Sequence, residues 1–503
     1  MPTDRAAPAA LVMLAALGWS WVAWIGFQGL DDLHYLHAAT RWWNAQPYVP
    51  ADHWEARLPF VVLLALGLRS FGENTAGMAV PCALVFVGLM AGSWGVARAA
   101  FGARTALWTL VAVALTPEFF RAPSTFYPDA LEAALAVAAA GLTAYGLWGQ
   151  RGGVAWFTAA GLVAGVALLT RETAAAVPLG LAVLIWLERR GWRALAALAA
   201  GAVLPSLLEG LYYASVAGAP FLRLAVDSRG ATMVSAHLEG GAFTGTSPLF
   251  NMALAALWNP PSAFRVHWSV NALVNLFTTP AWLLLPWLGV AGAVLAWRTG
   301  GRGGRIGVLA LTTLGFQYVL DTFVIALPPS PRYFAASAAL LALPAGLLLA
   351  SLWWPVRAMI VAAMAWLAAL VAAAPISPAP VVEALRHFAS PAQVYVSAPL
   401  ADAATLAARA DPAFAARLRT GSAPVGALAV MAWDGWPADT LSETCREGAL
   451  TGMSAWEVLA RRSYSGALPD GLRTLGLARF LPERAQRYVD RPQADLTLLR
   501  RRC

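Results

Sequence analysis

A chain of 503 residues that is 59% hydrophobic and 12% charged, with mean hydropathy +0.60, is far too apolar for a water-soluble surface, which needs roughly a quarter of its residues charged. That excludes an ordinary soluble enzyme, a disordered chain and a disulfide-stapled secreted scaffold. The net charge of +8 rests on 35 arginines and no lysine, scattered rather than clustered, and gives nucleic-acid binding no support.

The chain reads as a polytopic α-helical membrane protein. Apolar runs of about 20 residues mark spans near 9–30, 75–97, 105–119, 128–148, 153–170, 174–187, 194–217, 271–297, 306–327, 333–352 and 358–375. The first run is too long for the apolar core of a secretory leader and lacks a following cleavage site, so no cleaved signal is expected. Segment 58–71 (LPFVVLLALGLRSF) has 14 residues, closer to an interfacial or re-entrant helix than to a span.

Charge bias decides how that segment is counted. If it does not cross, Arg98, Arg104, Arg151, Arg189, Arg190, Arg193, Arg298, Arg302, Arg305 and Arg357 all fall on the side of Arg5. Arginine-rich loops stay cytoplasmic. The expectation is therefore about eleven spans, the N-terminus in the cytoplasm and the C-terminus outside.

The last 128 residues carry 27 of the 62 charges. This divides the chain into a membrane domain, 1–375, and a soluble extracytoplasmic domain, 376–503, joined at Pro375–Pro380. Runs at 393–398, 426–433 and 495–500 read as strands among helix-like pieces, hence a small α/β domain. Cys445 and Cys503 both fall in it, where a disulfide is permitted but not required.

The expected topology gathers ionisable residues on the outer face. The first outer loop, 29–59, holds Asp31, Asp32, His34, His37, Asp52, His53, Glu55 and Arg57. Later spans add Glu118, Arg121, Asp129, Arg171, Glu172, Glu209, Tyr212, Tyr213 and Arg332. Charges at membrane depth cost at least about 2.5 kcal/mol each unless paired or hydrated, so their convergence implies a polar cavity. Adjacent carboxylates repel, which raises one pKa and makes Asp31–Asp32 a candidate base for a hydroxyl. The same pair would equally suit the N-terminus of a helix 32–44.

Asp31-Asp32-Leu33-His34-Tyr35 resembles the Asp-Glu-x-His-Phe/Tyr signature of the protein O-mannosyltransferases. More broadly the chain is similar to GT-C class membrane glycosyltransferases, including the aminoarabinose lipid A transferases. Pro128-Asp129, Thr170-Arg171-Glu172 and Pro331-Arg332-Tyr333-Phe334 follow in the order of that group. The resemblance covers about residues 9–375, and Asp32 departs from the usual Glu. It implies an inverting transfer of a hexosyl or pentosyl unit from a polyprenyl-phosphate donor to an extracytoplasmic hydroxyl, in the inner membrane of a bacterium.

In that reading Asp31 is the base and Asp32 orients it or holds the loop. Arg57, Arg171 and Arg332 take the donor phosphate, because a guanidinium offers fixed donors and stays ionised. His34, Tyr35, His53, Glu55, Asp129 and Glu172 line the acceptor or sugar. The resemblance implies no required cofactor, and a divalent metal, if used, would fall to His34, His53 and Glu55. Each arginine could equally be a span-end ion pair, Arg171 with its neighbour Glu172. The segment 218–268 is a connector or a lid. The competing class is a lipid or solute transporter, which predicts internal repeats and mid-membrane charges. Neither is evident. The sequence leaves open the sugar, the acceptor, the polyprenol and the oligomeric state.

Overall fold

A computed structural model describes residues 6–150, 153–227, 246–248, 265–279, 281–325, 330–373, 381–383, 385–386, 393–421, 423–433, 456–464, 467–480, 486, 489 and 494–501. Helix α1 (Ala6–Val22) leads to α2 (Asp31–Asn44), α3 (Leu58–Phe71) and α4 (Thr75–Phe101). Asn74 starts α4 by accepting from the N–H groups of Ala76 at 2.8 Å and Gly77 at 3.2 Å, satisfying donors a helix N-terminus leaves unpaired. Next come α5 (Ala103–Ala114), the short α6 (Pro117–Phe120) and α7 (Ala122–Thr125), then α8 (Asp129–Trp148), α9 (Val154–Thr170), α10 (Ala176–Leu187) and α11 (Trp192–Ala217). The membrane half closes with α12 (Trp268–Thr278), α13 (Leu285–Thr299), α14 (Gly301–Val319), α15 (Ala335–Ser351) and α16 (Trp354–Ala373).

Among the described residues five helices are long and apolar enough to cross a membrane: Thr75–Phe101, Asp129–Trp148, Trp192–Ala217, Gly301–Val324 and Arg332–Ser351. Six other apolar helices are shorter. Two expected spans differ in outline. The run 9–30 leaves its helix at Val22, ahead of Gly26 and Gly29, whose φ values of 84° and 74° place them in the left-handed region. The run 271–297 is two helices, α12 and α13, separated around Thr279–Leu284. Leu283 there has φ 50°, and Pro280 disfavours helical backbone in the residue before it.

Helix α15 is apolar on every side, and such a helix belongs in a core. It packs against α5, α8, α13 and α14. Glycines make the approach possible: a Cβ on Gly346 would stand 2.1 Å from Thr109 Oγ1, and one on Gly292 2.0 Å from the Pro344 carbonyl oxygen.

The bundle has two distinct ends. At one, Arg305 pairs with Glu188 at 2.9 Å, Arg302 lies over Trp148, Arg190 donates to the Leu147 carbonyl, and Gly303 abuts Phe101. The other end carries Asp31, Arg57, Asp129, Arg171 and Arg332. Helices α2 and α3 both stay there. Their starts meet through Tyr35 and Arg57, and their far ends through Arg69 over Trp43.

The C-terminal part rests on that same end. Its described strands are β3 (Val394–Tyr395), β4 (Leu418–Arg419), β5 (Leu428–Trp433), β6 (Trp456–Tyr464) and β7 (Ala494–Arg501), after the paired β1 (Thr246–Pro248) and β2 (Arg265–His267). The sheet order is β4-β3-β5-β7-β6, parallel on one side and antiparallel on the other. Helix α17 (Ala398–Ala410) docks on α2. Arg409 donates to Thr40 Oγ1 at 2.8 Å and pairs with Glu73 at 2.9 Å, and Gly29 lies against the backbone of Asp402 and Ala403. The expected joint Pro375–Pro380, and Cys445 with Cys503, lie outside the described residues, as does most of segment 218–268.

Candidate active site at the loaded end of the bundle

The two adjacent aspartates part company at the start of α2. Asp32 is fully buried and accepts from the backbone N–H groups of Gln28 and, at 2.7 Å, Leu30. Burial pushes its pKa up to about 6 despite those bonds. It fastens the turn that leads into the helix. Asp31 is half-buried and pairs with Arg332 at 3.1 Å. Arg332 also lies over the rings of Tyr127 and Tyr333, while Tyr127 donates to Gln28 Oε1 at 3.0 Å. Gln317 fixes the Arg332 turn by donating to the Tyr333 carbonyl and accepting from Ser337.

Arg57 and Arg171 come from distant segments to the same place. Arg57, at the head of α3, donates to the Tyr35 hydroxyl. Burial alone would lower its pKa, but Tyr35 and Glu172 outweigh that and hold it above the ordinary arginine value. Arg171, 1% exposed, pairs with Asp129, reaches Glu132 at 4.0 Å and lies over the Tyr333 ring. Its ion pair is with Asp129, not with the neighbouring Glu172 that the sequence offered. Glu172 instead lies within reach of the charges of both Arg57 and Arg171. The three guanidiniums are close enough to repel one another, so opposing charge is needed to hold them together. Arg57 Nε, Arg171 Nε and Arg171 Nη2 are buried donors without a hydrogen-bond partner among the described residues.

The loop between α2 and α3 is built around Glu55. It takes Arg41 at 2.6 and 2.8 Å and the Ala51 N–H at 2.6 Å, while Tyr48 donates to its carbonyl at 2.9 Å. Glu55 is therefore occupied in structure. His34 bonds Asp52 at 3.2 Å and stacks on Trp54, and His53 packs on the same indole. Burial, reinforced by Arg57, lowers the His53 pKa to about 4, so the ring is neutral near pH 7. The suggested cation set of His34, His53 and Glu55 does not gather, and among the described residues no three His, Cys, Asp or Glu side chains form a metal-binding group.

Sequence reasoning passed over three participants. Glu132 shares a helix face with Asp129 at i, i+3 and accepts from Thr173 at 2.7 Å. Asp321 is buried on the π-helical turn Leu320–Val324 that continues α14. Each is a rare acid within an apolar run, which is itself a functional signal. Arg223 gives no such signal, since only the fold brings it near the site.

A family model, dolichyl-phosphate-mannose-protein mannosyltransferase, matches residues 59–208, which include Asp129, Arg171 and Glu172 but not Asp31, Arg57 or Arg332. The crystal structure of ArnT from Cupriavidus metallidurans bound to undecaprenyl phosphate superposes with TM-score 0.55 at 15% identity, covering 99% of this chain and 98% of that one. The chain shares the fold of that ArnT. The same ArnT in its apo state gives TM-score 0.51 at 17% identity, over 86% and 94% of the two chains. The archaeal oligosaccharyltransferase AglB from Archaeoglobus fulgidus gives 0.44 at 14% identity, over 80% and 63%. No curated protein sequence matches. With this fold and its long apolar helices, the protein is membrane-embedded.

Proposed function

We propose that the protein is an inverting glycosyltransferase that moves a sugar from a polyprenyl-phosphate carrier to a hydroxyl group outside the cytoplasmic membrane of a bacterium. One observation carries the reading: Arg57, Arg171 and Arg332, drawn from three remote segments, converge beside the half-buried Asp31. A lipid phosphate is the ligand that such forked cations suit, and the fold shared with an undecaprenyl-phosphate-bound ArnT supports it. In the reaction the acceptor oxygen attacks the anomeric carbon, the bond from that carbon to the phosphate oxygen breaks, and the proton passes to Asp31. The arginines stabilise the departing phosphate as its charge develops. Arg332 has two claims on it, since a phosphate competes with Asp31 for the same guanidinium and frees the base. Glu172, His34 and His53 line the sugar and acceptor, Asp129 and Tyr35 hold Arg171 and Arg57 from behind, and Glu55 shapes the loop. The cationic charge comes from side chains, so no metal is required. The C-terminal residues from 376 onward form a periplasmic domain that supports the catalytic loop.

The test is transfer of radiolabelled sugar from polyprenyl-phosphate donors by purified protein in detergent with a chelator present. Asp31→Asn keeps the shape of the side chain and removes its basicity. It is expected to fold normally and to lose about 10²- to 10⁴-fold in transfer, the usual contribution of a general base. Transfer at the parent rate in that variant would remove Asp31 from the chemistry.

A further inference from the structure

We propose that Arg223 is a positioning residue for the anion site, acting through the backbone that presents Arg57 and Arg171. This rests on the reading that those arginines hold the donor phosphate. Arg223 follows α11, 14 residues after Glu209, and its side chain is only 12% exposed. Its Nη1 donates to the Ala56 carbonyl at 3.0 Å and to the Leu169 carbonyl at 2.7 Å, and its Nη2 reaches the Leu168 carbonyl at 3.3 Å. Ala56 immediately precedes Arg57. Leu168 and Leu169 lie in the last turn of α9, just before Arg171. A single guanidinium therefore ties together the two strands of chain that deliver the two most buried arginines.

The chemistry suits the task. The last carbonyls of a helix have no partner within it, and a cation placed there is favourable. The planar fork of arginine spreads its donors over several acceptors, whereas lysine concentrates them on one atom. Glu209 also approaches Nη1, at 3.5 Å, and Asp227 pairs with Nε at 3.4 Å. Arg223 touches neither Arg57 nor Arg171 through their side chains, so its effect is on where their N–H groups point.

The experiment measures the affinity of the purified full chain for undecaprenyl phosphate in detergent, from the lipid-dependent rise in melting temperature, alongside the lipid-free melting temperature. Arg223→Lys keeps the charge facing Glu209 and Asp227, so it retains the fold, but it loses the fork; its affinity is expected to fall about tenfold. Arg223→Gln is expected to fall at least as far. Glu209→Gln leaves the three carbonyl bonds in place and is expected to bind as the parent does. If Arg223 works through Arg57, the losses from Arg223→Lys and Arg57→Gln do not add, as they would for independent sites. Parent-like binding by Arg223→Lys, or fully additive losses, would overturn the proposal. A parent protein that fails to bind undecaprenyl phosphate at all would overturn the donor assignment first and this role with it, an outcome distinct from parent binding that the variants leave unchanged.

Discussion

His34 and His53 share the Trp54 ring yet titrate in opposite senses, and the sign of each follows from its surroundings. The hydrogen bond that His34 gives to Asp52 raises the pKa of His34, so its contribution to stability is present below pH 6.5 and fades as pH rises through the folded value. Its side chain is 45% exposed, and solvent keeps that contribution small. Burial lowers His53 to about 4 from an ordinary 6.5. Between those values the unfolded chain binds the extra proton, so the folded state loses stability as pH falls through that window. Melting curves taken from pH 7 to pH 4 are expected to show a shallower acid-side decline for His53→Asn than for the parent. Equal slopes would mean that His53 is accessible enough to protonate in place. Residue by residue, the candidate site was legible where charge stood out against apolar sequence: Asp31, Arg57, Arg171 and Arg332 were all visible as ionisable groups at helix ends. Which aspartate would be buried was not visible. That choice depends on the turn at Gly26 and Gly29, which delivers the N–H groups of Gln28 and Leu30 to Asp32.

At the scale of elements, helix pairs are set by where side chains are missing. Along α9 and α11 the backbones nearly touch: a Cβ on Gly161 would stand 2.1 Å from the Leu198 carbonyl oxygen, and one on Gly201 2.2 Å from that of Thr158. Such small-residue contacts are how helices associate where lipid offers no hydrophobic drive. Gly161→Val must push the helices apart, and because α9 ends at Arg171 the displacement reaches the site. The expected result is a loss of about 1–3 kcal/mol, the usual range for overpacking, read as a lower melting temperature. A variant as stable as the parent would show that the two helices part without cost. Helix positions were legible because hydropathy marks them, and 58–71 emerged as the helix Leu58–Phe71. Helix interruptions were less so: apolar side chains continue through Ala281–Leu284, although these residues form a turn and not a helix. The strands at 394–395, 428–433 and 494–501 overlap the apolar runs 393–398, 426–433 and 495–500. The edge strand β6 escaped because its sequence, WEVLARRSY, resembles a helix, and its pairing with β7 shifts register between Val458 and Ala460.

Across the whole molecule, the arginines that bias topology and the residues proposed for chemistry occupy opposite ends of one bundle. Arg302 and Arg305 meet Trp148 and Glu188 at one end, while Asp31 meets Arg332 at the other. Helix α3 does not carry the chain between them. Its start lies by Tyr35, and the residue just past its end, Glu73, pairs with Arg409 of the helix that rests on α2. Positive charge is retained on the cytoplasmic side, so the site is expected to face outward, where an acceptor outside the cell membrane can reach it.

That orientation has a direct test. Single cysteines replacing Arg302 and Ala51, in a chain whose own cysteines are changed to serine, would be exposed to a membrane-impermeant maleimide in intact spheroplasts. Ala51 lies on the exposed loop between α2 and α3 and Arg302 at the opposite end of the bundle, so the two report on opposite faces. Labelling at position 51 in intact cells, with position 302 labelled only after the membrane is opened, is the expected pattern. The reverse pattern would place Asp31 and its arginines in the cytoplasm. A transferase reading with an outer acceptor would then fail, although the fold and the convergence of the three arginines would stand. Labelling of both positions in intact cells would mean that the two ends of the bundle are not separated by a membrane, and that the helices long enough to cross one are arranged otherwise.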